Sequence, residues 1–359
     1  MDILGTLDLT LRALNTRIPE VDPRRCVATR YRSSSCRRCT RACPGDAIAP
    51  TPSLEVDPEK CVGCGACAVV CPTGALDFAQ PRAALRAGLR TAGESSGRAA
   101  TIACVRSDMP AGRGTGIRVE CLGSIAAADL LVALAAGMRS LDLVDGGCAT
   151  CPSAAAVAAL PEAIDAAAAL YAAPEAMTVT RLTSPDRSSG AAPAVDHGGR
   201  QASDPVAAGK QAPARWAGPV LSRRQLLFFF GARSARVAET SVVRRKATSV
   251  ESLHAQSPPP PTHHLLVRHL DALARQGAAL GDLATCMEPL HLATVTVSAA
   301  CDSCGLCARY CPHGALKVAE GGLAIADPRL CTACGLCAEV CPPEAIALRA
   351  PSLPLGAGD

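Results

Sequence analysis

The sequence predicts an α+β protein in which two cysteine-rich domains, one near each end, flank a small α/β domain. Two observations lead to this fold class. A run of four cysteines recurs in both end regions, and the region between them alternates between strand-like and helix-like segments. The predicted boundaries are 1–82 and 291–350 for the cysteine-rich domains, 98–183 for the α/β domain, 184–220 for a flexible linker and 221–290 for a helical connector.

The cysteine run is the strongest chemical signal. Residues 61–76 read CVGCGACAVVCPTGAL, and closely similar runs occupy residues 301–316 and 331–346. Three Cys at two-residue spacing let one tight loop present three thiolates to one cluster, while the fourth Cys, followed by Pro, points towards a second cluster. Three full runs, each closed by Cys-Pro, predict iron-sulfur sites rather than zinc sites or disulfides.

The first run of the chain is irregular. Cys26 is followed by nine residues before the next Cys, and Ser33 stands where regular spacing would place a ligand. An Asp-Pro pair, which starts turns, ends three residues before Cys61, before Cys331 and before Cys26. Cys26 is therefore predicted to be the first ligand, with an insertion in residues 27–35. The alternative is a three-iron cluster that leaves Cys26 unused.

These runs resemble bacterial-type ferredoxins that carry two 4Fe-4S clusters, over residues 20–80 and 290–350. The resemblance implies a pseudo-twofold fold at each end, in which each run gives three ligands to one cluster and its fourth Cys to the other. It implies four 4Fe-4S clusters. Their ligands would be Cys26, Cys36, Cys39 and Cys71; Cys61, Cys64, Cys67 and Cys43; Cys301, Cys304, Cys307 and Cys341; and Cys331, Cys334, Cys337 and Cys311.

Composition limits the classes of function. A hydrophobic content of 49% supports packed cores, and an aromatic content of 2% leaves Ala, Leu and Val to fill them. Metal-bound thiolates are the expected use of many Cys in a reducing cytosol, so we expect a cytoplasmic protein. No secretory signal and no spanning stretch of about 18 uncharged apolar residues are expected. The net charge of +4 argues against nucleic acid as the main partner.

The middle region predicts alternating strands and helices. Strand-like segments occupy residues 101–103, 117–119, 141–144 and 177–182, and two predicted helices, one carrying Leu130, Leu131, Leu134 and Met138, lie between the later strands. Four Cys follow these strands. Because loops after parallel strands collect ligands in α/β domains, the four could converge on one metal centre. They are Cys104, Cys121, Cys148 and Cys151.

This arrangement, with Cys-x-Gly before a helix and Gly-Cys after the next strand, resembles the iron-sulfur delta subunit of methyl-viologen-reducing hydrogenases. The resemblance implies a 2Fe-2S cluster as a candidate fifth centre, which hands electrons between hydrogenase and heterodisulfide-reductase modules. The match is partial, because the pair of cysteines that opens the first loop of that family is reduced to Cys104 alone. Structural zinc and buried free thiols are the alternatives.

Basic and aromatic side chains give two further candidate surfaces. Arginines crowd the first run, either as a solvated loop or as charges that raise a cluster potential and dock an acidic partner. They are Arg24, Arg25, Arg30, Arg32, Arg37, Arg38 and Arg41. Phe228, Phe229 and Phe230 are expected to pack on a ferredoxin domain or to anchor a partner subunit.

The connector also contains three histidines and a lone cysteine. His263, His264 and His269 have no ligand spacing and predict a solvated helix start. Cys286 is expected to be a core residue.

These observations predict an electron carrier. The chain has no dinucleotide fingerprint, Walker loop or nucleophile–base spacing. We expect a subunit or accessory of a larger oxidoreductase, with a hydrogenase, heterodisulfide-reductase-like or other dehydrogenase module as partner. The linker favours a jointed arrangement of the two ends. The alternatives are a redox enzyme in which Cys148 and Cys151 form a reactive dithiol acting on a disulfide or small substrate, and a scaffold or maturation factor.

Overall fold

The computed structural model describes residues 18–110, 114–170, 177–183, 255–275, 283–318, 324–352 and 355, which all fall within one compact unit. The predicted linker and the segment with Phe228, Phe229 and Phe230 lie outside the described residues. Within the described ranges, no helix combines the length and the apolar character needed to span a bilayer.

The N-terminal end contains two antiparallel strand pairs and three short helices. The first strand pairs with the fourth, and the second pairs with the third. The helices are short because each lies within a cysteine run and stops at or before its Cys-Pro pair. In chain order the elements are β1 (Glu20–Val21), α1 (Val27–Arg30), α2 (Arg38–Ala42), β2 (Ile48–Ala49), β3 (Glu55–Val56), α3 (Ala66–Val69) and β4 (Leu76–Asp77).

A parallel four-stranded sheet follows, in the region where the sequence alternates between strands and helices. The elements are α4 (Ala79–Glu94), β5 (Ala99–Cys104), β6 (Thr115–Val119), α5 (Ala127–Ala135), β7 (Ser140–Asp145), α6 (Leu160–Leu170) and β8 (Thr178–Thr183). The strand order is β6-β5-β7-β8, so β5 and β7 form the centre of the sheet.

The largest core lies between this sheet and its helices. Ile102, Leu141 and Leu143 of the central strands are fully buried, as are Leu89 of α4 and Leu130 of α5. Each such side chain stabilises the fold by about 1.5–3 kcal/mol relative to an exposed one. Aliphatic side chains therefore form this core, as the low aromatic content requires.

The connector packs on the same core. It contributes α7 (Pro261–Arg275) and α8 (Met287–Leu290), and Cys286 is fully buried beside them. Apolar residues recur along one face of α7, where Leu266 and Leu270 are buried. Proline starts this helix, at a position where its missing N–H costs nothing.

The expectation of a solvated histidine helix start is wrong for one of the three histidines. His264 is exposed, but His263 is only 4% exposed and its Nε2 donates to the carbonyl oxygen of Arg329 at 3.0 Å. The reason is a tertiary contact, because the C-terminal end covers this turn of α7.

One buried arginine ties three helices together. The Nε of Arg86 in α4 donates to Asp129 Oδ1 in α5 at 2.7 Å, and its Nη2 donates to Thr262 Oγ1 in α7 at 2.8 Å. The other oxygen of Asp129 accepts from the Ala126 N–H at 3.0 Å and caps α5. Loss of one partner from such a buried pair typically costs about 3–5 kcal/mol.

The C-terminal end repeats the organisation of the N-terminal end. Its first strand pairs with its last, and its two middle strands pair with each other, both antiparallel. The elements are β9 (Thr294–Val297), α9 (Leu306–Tyr310), β10 (Leu316–Val318), β11 (Ala324–Ala326), α10 (Leu336–Glu339) and β12 (Ile346–Arg349).

The two ends contact each other, which differs from the jointed arrangement that the linker favoured. The rings of Tyr31 and Tyr310 meet edge to face, with centroids 5.7 Å apart and an interplanar angle of 77°. The Ser35 hydroxyl donates to Glu339 Oε1 at 2.8 Å. Tyr31 and Ser35 both lie within residues 27–35, which contain the predicted insertion, so this segment supplies the contact surface.

Candidate iron-sulfur sites

The three regular cysteine runs share one local geometry. A glycine with positive φ precedes the short helix that carries the third Cys, at Gly65 (+79°), Gly305 (+72°) and Gly335 (+80°). Residues other than Gly rarely adopt a positive φ. In the irregular first run, Arg37 occupies this place with φ −137°, so the chain enters α2 from a different direction.

The first N-terminal site brings together the cysteines of the irregular run and the fourth Cys of the next run. Burial raises the pKa of Cys39 to about 12, and neighbouring thiolates at Cys71, Cys26 and Cys36 contribute to that rise. Cys26 is 8% exposed and so lies within this end of the molecule, whereas Ser33 is exposed.

The second N-terminal site is a cavity beside β2 and β3. A backbone N–H group points at one of its sulfurs: the N–H of Ala47 donates to Cys43 Sγ at 3.3 Å. Burial raises the pKa of Cys64, and the thiolates of Cys43 and Cys61 add to that rise. The four cysteines that line the cavity are Cys43, Cys61, Cys64 and Cys67.

The inner C-terminal site is the corresponding cavity at the other end. Burial raises the pKa of Cys337 to about 12 and that of Cys331 to about 11, with further contributions from the Cys311 thiolate. The N–H of Ala315 donates to Cys311 Sγ at 3.3 Å. The cavity is lined by Cys311, Cys331, Cys334 and Cys337.

The outer C-terminal site is more open. Burial raises the pKa of Cys307, as do the nearby thiolates of Cys304, Cys301 and Cys341. The N–H of Ala345 donates to Cys341 Sγ at 3.3 Å. Of the described cysteines, Cys304 alone is exposed.

These sites suit a 4Fe-4S cluster by their donors. Thiolates are the ligands that such clusters take, and N–H groups directed at sulfur stabilise its negative charge. In the described residues, no three His, Cys, Asp or Glu side chains converge as ligands of a single metal ion do. A cluster of four irons keeps its ligand sulfurs further apart than a single ion does, because the cluster fills the space between them.

Three of the four middle-region cysteines lie at the carboxyl end of the sheet, within electrostatic reach of one another. Cys104 ends β5, Cys121 follows β6 and Cys148 follows β7. Burial raises the pKa of Cys121 to about 12, with smaller contributions from the thiolates of Cys64, Cys148 and Cys104. Cys151 lies on the next turn, where its Sγ accepts from the Ser153 N–H at 3.4 Å.

An ion pair holds the loop that carries Cys148. Arg181 Nε donates to Asp145 Oδ2 at 2.9 Å, and Asp145 Oδ1 accepts from the Gly147 N–H at 3.0 Å. Burial and the Asp145 carboxylate raise the pKa of Cys148, while Arg181 opposes that rise.

The arginines around the first run range from exposed, through the half-buried Arg25, Arg37 and Arg38, to buried. Arg24, Arg32 and Arg41 are exposed, as a solvated loop requires. Arg30 is 4% exposed and donates through Nε to the carbonyl oxygen of Tyr310 at 3.0 Å. The sequence shows only a basic cluster, so it carries no signal that separates Arg30 from its neighbours.

Comparisons with known proteins agree with the cysteine geometry at both ends. The family described as the 4Fe-4S binding domain matches residues 54–77, and the 4Fe-4S dicluster domain matches residues 300–345. Both ends of the chain are ferredoxin-type. The predictions of iron-sulfur sites and of ferredoxin-type ends are confirmed at this level.

A curated relative shares a short part of the chain. It belongs to the ion-translocating oxidoreductase complex of Methanosarcina acetivorans and is 49% identical over 44 residues, which cover 12% of this chain and 17% of that protein. The chain thus matches about a sixth of that relative's length. No solved structure matches the chain. The family matches therefore indicate 4Fe-4S binding in both ends of the chain.

Proposed function

We propose that the chain is a poly-ferredoxin, which holds four 4Fe-4S clusters and transfers single electrons as a subunit or accessory of a larger oxidoreductase. One observation carries this proposal: each end contains a cavity that is lined by the four cysteines of one predicted ligand set. Ferredoxin domains over residues 1–82 and 291–350 would hold two clusters each.

The ligand sets follow the exchange of the fourth Cys between runs. Cys71 lies with Cys26, Cys36 and Cys39, which supports Cys26 as a ligand and argues against a three-iron cluster at this site. Each 4Fe-4S cluster would supply one-electron exchange, with no bond made or broken. The chain's own residues bury the sulfurs and direct N–H groups at them, which tunes the potential.

A partner for electron exchange follows from this role. The relative in Methanosarcina acetivorans is named as part of an oxidoreductase complex. A hydrogenase, heterodisulfide-reductase-like or other dehydrogenase module would suit a carrier of this kind. The docking surface would lie near an exposed site such as that of Cys304.

The middle α/β domain would hold a fifth centre, a 2Fe-2S cluster. Proximity of Cys104, Cys121 and Cys148 supports this role, and Cys151 would supply the fourth thiolate. The competing dithiol enzyme and the cluster both need thiolates, so the raised pKa of Cys148 does not separate them. The arrival of cysteines from three loops at one edge of the sheet favours the fifth centre over a dithiol of Cys148 and Cys151 alone.

Iron and sulfide analysis of anaerobically purified protein, with electron paramagnetic resonance, tests the proposal. About sixteen irons per chain are expected if the four ferredoxin-type sites alone are filled, and about eighteen if the middle site holds a 2Fe-2S cluster. About eight irons would contradict four clusters. A three-iron signal in the oxidised protein would instead contradict the use of Cys26.

A further inference from the structure

The two ferredoxin-type ends share a small apolar core at the point where they meet. Val27 of α1 is 3% exposed and packs with Leu336 and Val340 from the C-terminal end. Cys36 of the first N-terminal site and Cys334 of the inner C-terminal site both pack against this core. Two cysteine loops from different ends are therefore held by one set of side chains, which we call the junction.

A buried guanidinium group crosses the junction. Arg30 donates through Nε to Tyr310 O at 3.0 Å and through Nη2 to Cys311 O at 3.4 Å, both in the C-terminal end. Its Nη1 donates to Arg24 O at 2.8 Å and to Ala255 O at 3.1 Å. The planar fork of arginine is suited to hold several carbonyls in fixed positions, which the single ammonium of lysine cannot do.

The positive charge of Arg30 lies beside the inner C-terminal site. Burial lowers the pKa of Arg30, and the thiolates of Cys311 and Cys334 oppose that effect. Because arginine stays protonated even when buried, the charge is permanent. A permanent cation beside a negatively charged centre favours the reduced form, since that form carries one more negative charge.

We propose that Arg30 makes the two ends one electron-transfer unit: it is a positioning residue that ties the first cysteine run to the Cys311 loop, and its charge raises the reduction potential of the inner C-terminal centre. This inference rests on the proposed function, since it requires clusters at both ends. One electron leaves one centre as the other gains it, and no proton or bond change is needed.

The first test compares reduction potentials in Arg30→Gln, Arg30→Lys and Arg32→Gln by potentiometric titration followed with electron paramagnetic resonance. Arg30→Gln is expected to lower the midpoint potential of one centre and leave the others in place. Arg30→Lys, which keeps the charge, restores most of that potential. Arg32→Gln is the matched control, because Arg32 is exposed in the same loop, and it is expected to shift nothing.

Equal potentials in Arg30→Gln and Arg32→Gln would overturn the tuning role of Arg30. Loss of iron from Arg30→Gln would prevent that comparison, so a second measurement uses the unmodified protein. In the fully reduced state, magnetic coupling is expected to link centres across the junction. Two isolated pairs of coupled centres would overturn the inference, whereas an iron content well below sixteen would contradict the proposed function itself.

Discussion

Cys26 is the residue that separates the first N-terminal site from a regular ferredoxin run. It lies at the start of α1, it is nearly buried, and its thiol neighbours Cys39. The Asp-Pro pair that precedes three runs pointed to Cys26, because it ends three residues before the first Cys in each of these runs. Ser33, which regular spacing suggested, lies exposed.

We expect Cys26→Ser to lose or convert one cluster and Ser33→Ala to keep all four. A serine oxygen is a poorer ligand for iron than a thiolate, so the first site would lose an iron or release the cluster. Iron content and the spectrum of the oxidised protein check this result. Equal iron content in the two variants would show that Cys26 is not a ligand.

At the scale of elements, short helices following a glycine set the direction of each third Cys. Gly65 and Gly335 have the same backbone conformation, with φ near +80°. Their surroundings differ. A Cβ on Gly65 would lie 2.7 Å from the Cβ of Ser124 in the turn after β6, whereas a Cβ on Gly335 meets nothing within 4 Å. Gly65 therefore also sets the close approach of the N-terminal end to the sheet.

Gly65→Ala is expected to destabilise the protein more than Gly335→Ala. Both variants bear the cost of positive φ, about 1–2 kcal/mol, and only Gly65→Ala also displaces the turn that carries Ser124. Apparent unfolding midpoints in urea, measured anaerobically, test this order. If Gly335→Ala were the less stable of the two, the contact with Ser124 would not constrain this loop.

The sequence predicted the elements with a repeated or periodic signal and missed those that depend on a distant partner. The cysteine runs repeat, and the alternating strands lie where the parallel sheet forms. Burial of His263 was missed because the carbonyl of Arg329 that accepts from it is 66 residues away. The contact through Val27 and Tyr31 was missed because the inserted residues repeat nothing else in the chain.

At the scale of the whole molecule, buried histidines fasten parts of the chain that are distant in sequence. Nε2 of His263 donates to Arg329 O at 3.0 Å, and Nε2 of His291 donates to Val69 O at 2.9 Å. Burial lowers the pKa of each ring to about 4. These rings are therefore neutral in the folded protein at pH 7.

Stability is expected to fall as the pH drops from about 6.5 towards about 4. In this window the unfolded chain binds protons on these histidines, with a usual pKa of about 6.5, while the folded protein does not. Above pH 6.5 both states are neutral and the full stability is present. Anaerobic urea midpoints measured at several pH values test this dependence.

The matched variants are His263→Gln and His264→Gln. His263→Gln keeps an N–H donor for Arg329 O but cannot titrate, so its stability is expected to fall less steeply with pH. His264 is exposed, and His264→Gln should follow the unmodified protein. If stability fell equally steeply with pH in both variants, His263 would not contribute to the acid sensitivity of the protein.

The exposure of Cys304 also determines which iron-sulfur centre is lost first when the protein is oxidised by air. Exposed cluster edges meet dissolved oxygen first, whereas Cys331 and Cys337 of the inner site lie behind packed side chains. Samples handled aerobically would then lose the outer C-terminal centre before the inner one. The iron that remains would then belong to a protein without its outer C-terminal centre, which is the centre nearest to the proposed docking surface.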